Sequence, residues 1–418
     1  MLPPATVQAP AFLFALAAME IVRVGPETAL WTTPAILLAA MMIAWAAESA
    51  QFFMAQGFAL AILAWLQTLP EFAVEAVLAW KQQVPLLLAN LTGALRLLTG
   101  LGWPLIYFTA AFFYRRRHGR PLRFIQLDKE HCVEVVGLAV PLAYIALIYH
   151  KGSLNLLDAA VLVLIYVAYL LVLGKMPPQE EEGIEDLELI PRTIVTSSAW
   201  VRRLSIAALF LGGGLLIYYT AEPFLGSLLA VSALLGIPNF VFVQWVAPFV
   251  SEFPEKVSAF YWARTVERAP MALMNMISSN INQWTLLTAM LPMVFSLSVG
   301  APAEIRLDEV QKLELLMTLG QSLIGLVFLV NMRLAWWEAT ALFALWAIQF
   351  AFSPFAPGPG FVGFMAQHIH LYVTMAYLAW AGIEIVRMIA GWRQPLAFKL
   401  FVEVWRTYVR PAQPVQEG

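Results

Sequence analysis

Charged residues are scarce in this 418-residue sequence. Its 25 Lys and Arg and 27 Asp and Glu make up 12% of the chain, about half the share of a soluble domain. The formal net charge of −2 by itself points to no partner, and no nucleic acid is expected. A single cysteine, Cys132, excludes an internal disulfide framework and any cysteine-built zinc site. Histidine is nearly as rare. His131 beside Cys132 makes no metal site by itself, and His368 and His370, next to the Pro/Gly loop SPFAPGPG, read as surface residues. No G-x-S-x-G or H-E-x-x-H occurs, so the common hydrolase and metallopeptidase chemistries have no support.

Hydrocarbon takes the place of charge. Apolar residues make up 61% of the chain and its mean hydropathy is +0.74. Length alone would suggest two or three soluble domains. Apolar runs of about 20 residues indicate a single membrane-embedded unit instead. Spans are expected over 30–50, 52–80, 84–114, 131–150, 154–174, 204–220, 227–262, 270–298, 311–331, 334–353 and 366–390. Residues 11–24 are apolar but short; no Lys or Arg precedes them and no A-x-A site follows, which argues against a cleaved signal peptide. The tail PLAFKLFVEVWRTYVR is basic and amphipathic and reads as lying on a membrane surface.

Two stretches carry acids where hydrocarbon is expected. Pro70-Glu71, with Glu75 one turn on, lies in an apolar segment that has no other charge until Lys81. A carboxylate at that depth costs a few kcal/mol or more, so it needs a partner, a water-filled cavity or a cation. Proline frees a backbone carbonyl as well, so a Pro-Glu pair marks a broken helix. Pro254-Glu255 repeats the arrangement. From Pro70 it is 15 residues to Pro85, 20 to Asn90 and 23 to Gly93; from Pro254 it is 16 to Pro270, 21 to Asn275 and 24 to Ser278. One inserted residue accounts for all three offsets. Matched interruptions in two halves are the sequence signature of a transporter site.

These residues resemble the sodium/calcium exchanger (cation/Ca2+ antiporter) superfamily, whose two inverted repeats read roughly G-T-S-x-P-E and then G-N-x-x-G-S-N. The first repeat here gives Gln67-Thr68-Leu69-Pro70-Glu71 and Ala89-Asn90-Leu91-Thr92-Gly93-Ala94-Leu95. The second gives Ser251-Glu252-Phe253-Pro254-Glu255 and Met274-Asn275-Met276-Ile277-Ser278-Ser279-Asn280. Leu66 and Val250 replace the first glycine, Glu252 a serine, and Ala94-Leu95 the first Ser-Asn. The resemblance implies an all-α polytopic membrane protein of two inverted five-helix repeats with extra N- and C-terminal helices, about 11–12 membrane helices in all. The expected layout is 1–29, a short apolar helix; 30–174, the first repeat, with its motif region at 52–114; 175–203, a polar loop; 204–353, the second repeat, with its motif region at 227–298; and 354–418, an extra helix and tail.

In that family the two Pro-Glu glutamates bind the ions, and the resemblance gives those roles to Glu71 and Glu255. Glu75 and Glu252 lie a turn or less away, and Thr68, Ser251, Asn90, Asn275, Ser279 and Asn280 add oxygens, with backbone carbonyls at Gln67 and 247–250. Clustered oxygens suit hard cations, so the expected cargo is Ca2+, Na+ or H+, and no cofactor is expected. Asn90 and Asn275 could also serve only as interhelical hydrogen-bond glue.

Arg96 departs most from the family pattern. Guanidinium keeps its proton in proteins, so it needs an acid, and Glu75, Glu71 and the inward-facing acids of the second repeat are the expected partners. Such a pair would leave less charge for a divalent ion and favour a monovalent cation, a proton or weak calcium binding. Two other readings stand beside a cation antiporter: a transport-inactive membrane sensor or scaffold, and an intramembrane enzyme using paired glutamates.

Orientation follows from positive charge. Placing loops 115–129 and 175–203 in the cytoplasm puts 18 of the 25 Lys and Arg residues on that side and five outside, with Arg96 and Lys256 within the membrane. The two motif regions then run in opposite directions. A bacterial inner (plasma) membrane is the expected location.

Overall fold

The computed structural model describes residues 24–52, 65–66, 68–177, 184 and 187–410. Nearly all of the expected helix 11–24, the first part of the span 52–80, Gln67 and most of the acidic run 180–188 lie outside the described residues. The first half comprises α1 (Ala29–Gln51), α2 (Leu69–Trp80), α3 (Val84–Leu97), α4 (Trp103–His118), α5 (Cys132–Lys151) and α6 (Leu156–Leu173). A short helix α7 (Leu189–Thr196) leads into the second half. That half comprises α8 (Ala199–Leu235), α9 (Asn239–Ser251), α10 (Phe253–Arg264), α11 (Ala269–Asn282), α12 (Thr288–Val299), α13 (Glu309–Leu329) and α14 (Trp336–Phe352). Helices α15 (Gly360–Ile389) and α16 (Leu396–Val404) follow. Among the described residues, seven helical segments are long and apolar enough to cross a membrane.

The halves match in their irregularities. Helices α3 and α4 join through a π-helical segment, Leu98–Gly102, and α11 and α12 join through Gln283–Leu287, 185 residues later. At Gly100 and Gly102, just before Pro104, the wider turn keeps the helix continuous through the span 84–114. Four short strands give the symmetry: β1 (Phe124–Gln126), β2 (Ser153–Leu154), β3 (Ile305–Arg306) and β4 (Arg333–Ala335). Strand β1 pairs antiparallel with β4, and β2 with β3. Strands β1 and β2 flank the two ends of α5, and β3 and β4 those of α13. The exchanged pairing therefore makes α5 and α13 run in opposite directions, as an inverted repeat requires.

Burial follows the helical period. On α6, Leu157, Leu164 and Leu171 are exposed at seven-residue spacing, whereas Ala159, Leu162, Tyr166, Tyr169 and Leu173 are buried. In lipid the outer leucines meet acyl chains, and association rests on close packing. Glycine supplies that closeness between α1 and α8: a Cβ on Gly213 would stand 3.0 Å from the Ala39 carbonyl oxygen.

Two expectations need correction. The spans 204–220 and 227–262 are not separated at 221–226. Helix α8 runs unbroken through Pro223, because the polar residue in that gap, Glu222, accepts a bond from Lys81 Nζ at 2.7 Å. The chain turns instead at Gly236, whose φ of 68° suits glycine. The tail, in turn, does not only lie at a surface. The Ala397 amide donates to the Val330 carbonyl at 2.8 Å and Glu403 pairs with Lys129 at 3.0 Å, while Phe398, Val402 and Trp405 stay exposed.

Candidate cation site

Both Pro-Glu pairs open a half-helix. Pro70-Glu71 stands in the first turn of α2 and Pro254-Glu255 in the first turn of α10. Proline is tolerated there because the first amides have no intrahelical acceptor, and the positive end of the helix dipole favours a carboxylate. The break before α10 is narrower than expected. Residues 247–250 are helical, and the joint is the single residue Glu252. Pro248 cannot donate to the Gln244 carbonyl. That carbonyl instead faces Gly93 so closely that a Cβ there would lie 1.9 Å from the oxygen. The glycine of the first repeat motif lets α3 and α9 meet.

The acids lie together and fully inside. Glu71, Glu75, Glu252 and Glu255 are each 1% exposed or less. The carboxylates of Glu252, Glu75 and Glu255 all act electrostatically on Glu71. Amides join them. Gln283 Nε2 donates to Glu71 Oε2 at 2.8 Å and to Glu252 Oε1 at 2.9 Å, tying the two repeats at the start of the π segment. Asn90 Nδ2 donates to Glu75 Oε1 at 3.0 Å and Ser279 Oγ to Glu255 Oε1 at 3.2 Å. Thr68 Oγ1 accepts from Asn282 Nδ2 at 2.6 Å, and Asn280 Nδ2 reaches Thr99 Oγ1 at 2.8 Å. Ser251 Oγ turns back to the Pro248 carbonyl at 3.4 Å, and Asn275 is buried within α11. Among the described residues, no three acidic, histidine or cysteine side chains converge closely enough to grip a metal.

Charge and oxygen count describe this cluster better than a fixed cage does. Glu252 is neutralised by Lys256 Nζ at 2.5 Å. Among the described residues, Glu71, Glu75 and Glu255 have no cation within ion-pair distance. Each leaves one buried carboxylate oxygen without a hydrogen-bond partner, and so do the carbonyl oxygens of Asn90, Asn280, Asn282 and Gln283. The amide donors are spent on the protein and the acceptors are left over. Buried acceptors without donors are costly, and a proton or an oxygen-seeking cation satisfies them.

Arg96 pairs with an inward-facing acid of the second repeat, one of the expected partners, and not with Glu71, Glu75, Glu252 or Glu255. It is fully buried, and its Nη1 meets Glu314 Oε2 of α13 at 2.7 Å. The guanidinium lies over the Trp245 ring, 5.4 Å from its centroid. Glu314 also accepts from Gln244 Nε2 at 2.8 Å and contacts His370 Nδ1. His370, expected at the surface, is therefore drawn inward, with its Nε2 3.0 Å from Ser353 Oγ. The cation beside the central acids is Lys256. Glu75 is held by Asn90 rather than by Arg96.

The motif reading missed Gln283, Asn282 and Glu314. Residues 275, 279, 282 and 283 continue one polar stripe at helical spacing past Asn280, so following that face one more turn would have found the first two. Glu314 gave no such signal, because Lys312 and Glu309 stand two and five residues before it and make it read as part of a charged helix start.

The comparisons with known proteins bear on the family and the fold. The family model described as sodium/calcium exchanger protein matches residues 28–175 and 205–354. A crystal structure of an H+/Ca2+ exchanger, CAX, is 30% identical with a TM-score of 0.79, over 96% of this chain and 94% of that one. The sodium-calcium exchanger NCX_Mj, at 20% identity and a TM-score of 0.52 over 78% of this chain and 98% of that one, shares the fold. None of the curated proteins matches the chain in sequence at a significant level. The chain belongs to the sodium/calcium exchanger protein family of membrane cation antiporters.

Proposed function

We propose that this protein exchanges protons for a divalent cation, calcium first among them, by alternating access around Glu71 and Glu255. The observation that carries this reading is the trio Glu71, Glu75 and Glu255, buried without a counter-cation and each with one unpartnered oxygen. Carboxylates at that depth are neutralised by a proton or by an ion. The same oxygens cannot hold both, and that competition couples the two fluxes. Lys256 holds Glu252, so three carboxylates rather than four are available. That charge suits one divalent ion with amide and backbone oxygens completing its shell. The H+/Ca2+ exchanger CAX supports the choice of proton over sodium.

In sealed proteoliposomes, an imposed pH gradient should drive calcium uptake, and calcium should drive proton release. Replacing external sodium by choline at fixed pH should leave calcium flux unchanged. Calcium movement that follows a sodium gradient and ignores pH would instead show sodium coupling.

The end bearing β1 and β4 carries Arg115, Arg116, Arg117, Arg120, Arg123, Lys129 and Arg333, and we place it in the cytoplasm. Cysteine at Arg120 in a Cys132→Ser background should resist impermeant thiol reagents in intact cells. Cysteine at Gly358, in the loop at the other end of α14 with nothing within 4 Å of its Cβ position, should be modified. Labelling with the reverse pattern would invert the orientation.

A further inference from the structure

We propose that Glu134, on α5, is a proton way-station linking the basic-loop side of the membrane to Glu255; this rests on the proton-coupled reading above. The repeat symmetry singles it out. Asp128, Asn155 and Asp158 of the first half correspond to Asp308, Ala335 and Glu338 of the second, each 180 residues later. Asp158 Oδ2 accepts the Asn155 amide at 2.8 Å, as Glu338 Oε2 accepts that of Ala335 at 2.8 Å. The same offset carries Glu134 onto Glu314.

The two equivalent acids meet opposite surroundings. Glu314 is held by Arg96, Gln244 and His370. The 185-residue offset of the neighbouring helices carries Arg96 onto Ile281, so the first half supplies no guanidinium. Helix α15, which brings His370, has no counterpart either. Glu134 is 1% exposed, no cation lies within ion-pair distance of it among the described residues, and its Oε2 has no hydrogen-bond partner.

A buried acid without a counter-ion holds a proton or takes one up and passes it on. Glu134 stands three residues into α5, close to β1 and the basic loop. The ionisable groups acting on or near it are Glu130, Cys132 and the buried His131, which faces Asp128, on its own segment, Lys129, which is paired with Glu403 of α16, and Tyr169 of α6. Inward, its carboxylate acts electrostatically on the Tyr169 phenol. Gly137, one turn after Glu134, makes room for that ring, since a Cβ there would lie 3.0 Å from Tyr169 Cδ2. The Tyr169 hydroxyl and Ser278 Oγ of α11 are 3.0 Å apart, and Ser279, the next residue, donates to Glu255 Oε1 at 3.2 Å.

The relay balances. A proton taken from the basic-loop side onto Glu134 leaves as Tyr169, Ser278 and Ser279, with water between them, each accept one proton and give one. Glu134 ends as the carboxylate and Glu255 as the acid. In reverse, calcium binding at Glu255 expels its proton toward Glu134.

The test uses the full chain in proteoliposomes, with a pH dye inside and calcium added outside. Glu134→Gln should lower the maximal rate of calcium-driven proton movement by about tenfold while leaving calcium affinity within about twofold of wild type. Tyr169→Phe should lower the rate with the same unchanged affinity. Glu134→Asp should restore part of it. Independently of transport, the infrared band of a protonated carboxyl should shift on calcium addition and lose one component in Glu134→Gln. A wild-type rate in Glu134→Gln, or a loss of calcium affinity matching the loss of rate, would overturn the way-station. If proton movement persists in Glu71→Gln, the proton-coupled reading falls and takes the way-station with it. If Glu71→Gln abolishes it and Glu134→Gln does not, the way-station alone falls.

Discussion

Glu71→Gln and Glu255→Gln should each reduce coupled calcium flux by at least about a hundredfold, because the affinity for a divalent ion follows the charge of its ligands. The fold should survive. Glu71 accepts one bond from Gln283 Nε2, and Glu255 one from Ser279 Oγ; a glutamine in either place accepts the same bond through its carbonyl. The substitution removes only what a neutral amide cannot do, which is to carry a negative charge and to bind and release a proton. Equilibrium calcium binding in detergent should fall together with flux, while the melting temperature stays close to wild type or rises, since an uncompensated acid has left the interior. A variant that transports normally would remove these two glutamates from the ion path. One that unfolds would give them a packing role the geometry does not suggest. Glu252→Gln is a poorer probe, because it would also strand Lys256 without its anion.

The layout was legible because the lipid leaves few choices. With so little charge, each acid in an apolar run is a signal, and two Pro-Glu pairs with matched downstream asparagines announce an inverted repeat. Pro70 and Pro254 lie where the sequence put them, at the openings of α2 and α10. Ends defined by lipid rather than by polar residues were harder to read. The stretch 221–226, with Glu222 and Pro223, fell between two expected spans, yet one lysine from the first half satisfies the glutamate and the helix continues. Side-chain pairing was harder still, because it depends on which helices are neighbours. Spacing placed Glu75 and Arg96 in adjacent helices of one repeat, and nothing local could reveal that Glu314 on α13 of the other half is the acid Arg96 reaches. Gln283 bridging Glu71 and Glu252 is a long-range fact of the same kind.

Arg96 and Glu314 supply the largest expected effect on stability. The guanidinium is wholly buried; beyond the single bond from Nη1 to Glu314 and the face of Trp245, its Nε and Nη2 have no hydrogen-bond partner. Glu314→Gln would leave that charge without an anion, and removing one member of a buried pair costs about 3–5 kcal/mol. Arg96→Ala should cost less, because Glu314 keeps Gln244 and His370. Thermal unfolding in detergent should therefore rank wild type above Arg96→Ala and Arg96→Ala above Glu314→Gln. The pair Arg96→Leu with Glu314→Leu should recover much of the loss, since apolar replacement of a buried ion pair is often neutral. Calcium affinity should stay within about twofold of wild type in Arg96→Ala, as expected for sites that share no partner. The positive charge beside the central acids is that of Lys256, 2.5 Å from Glu252, and Arg96 is already matched by Glu314. A marked rise in calcium affinity on removing Arg96 would mean that its charge reaches the ion despite that match, and would put the arginine back in the site.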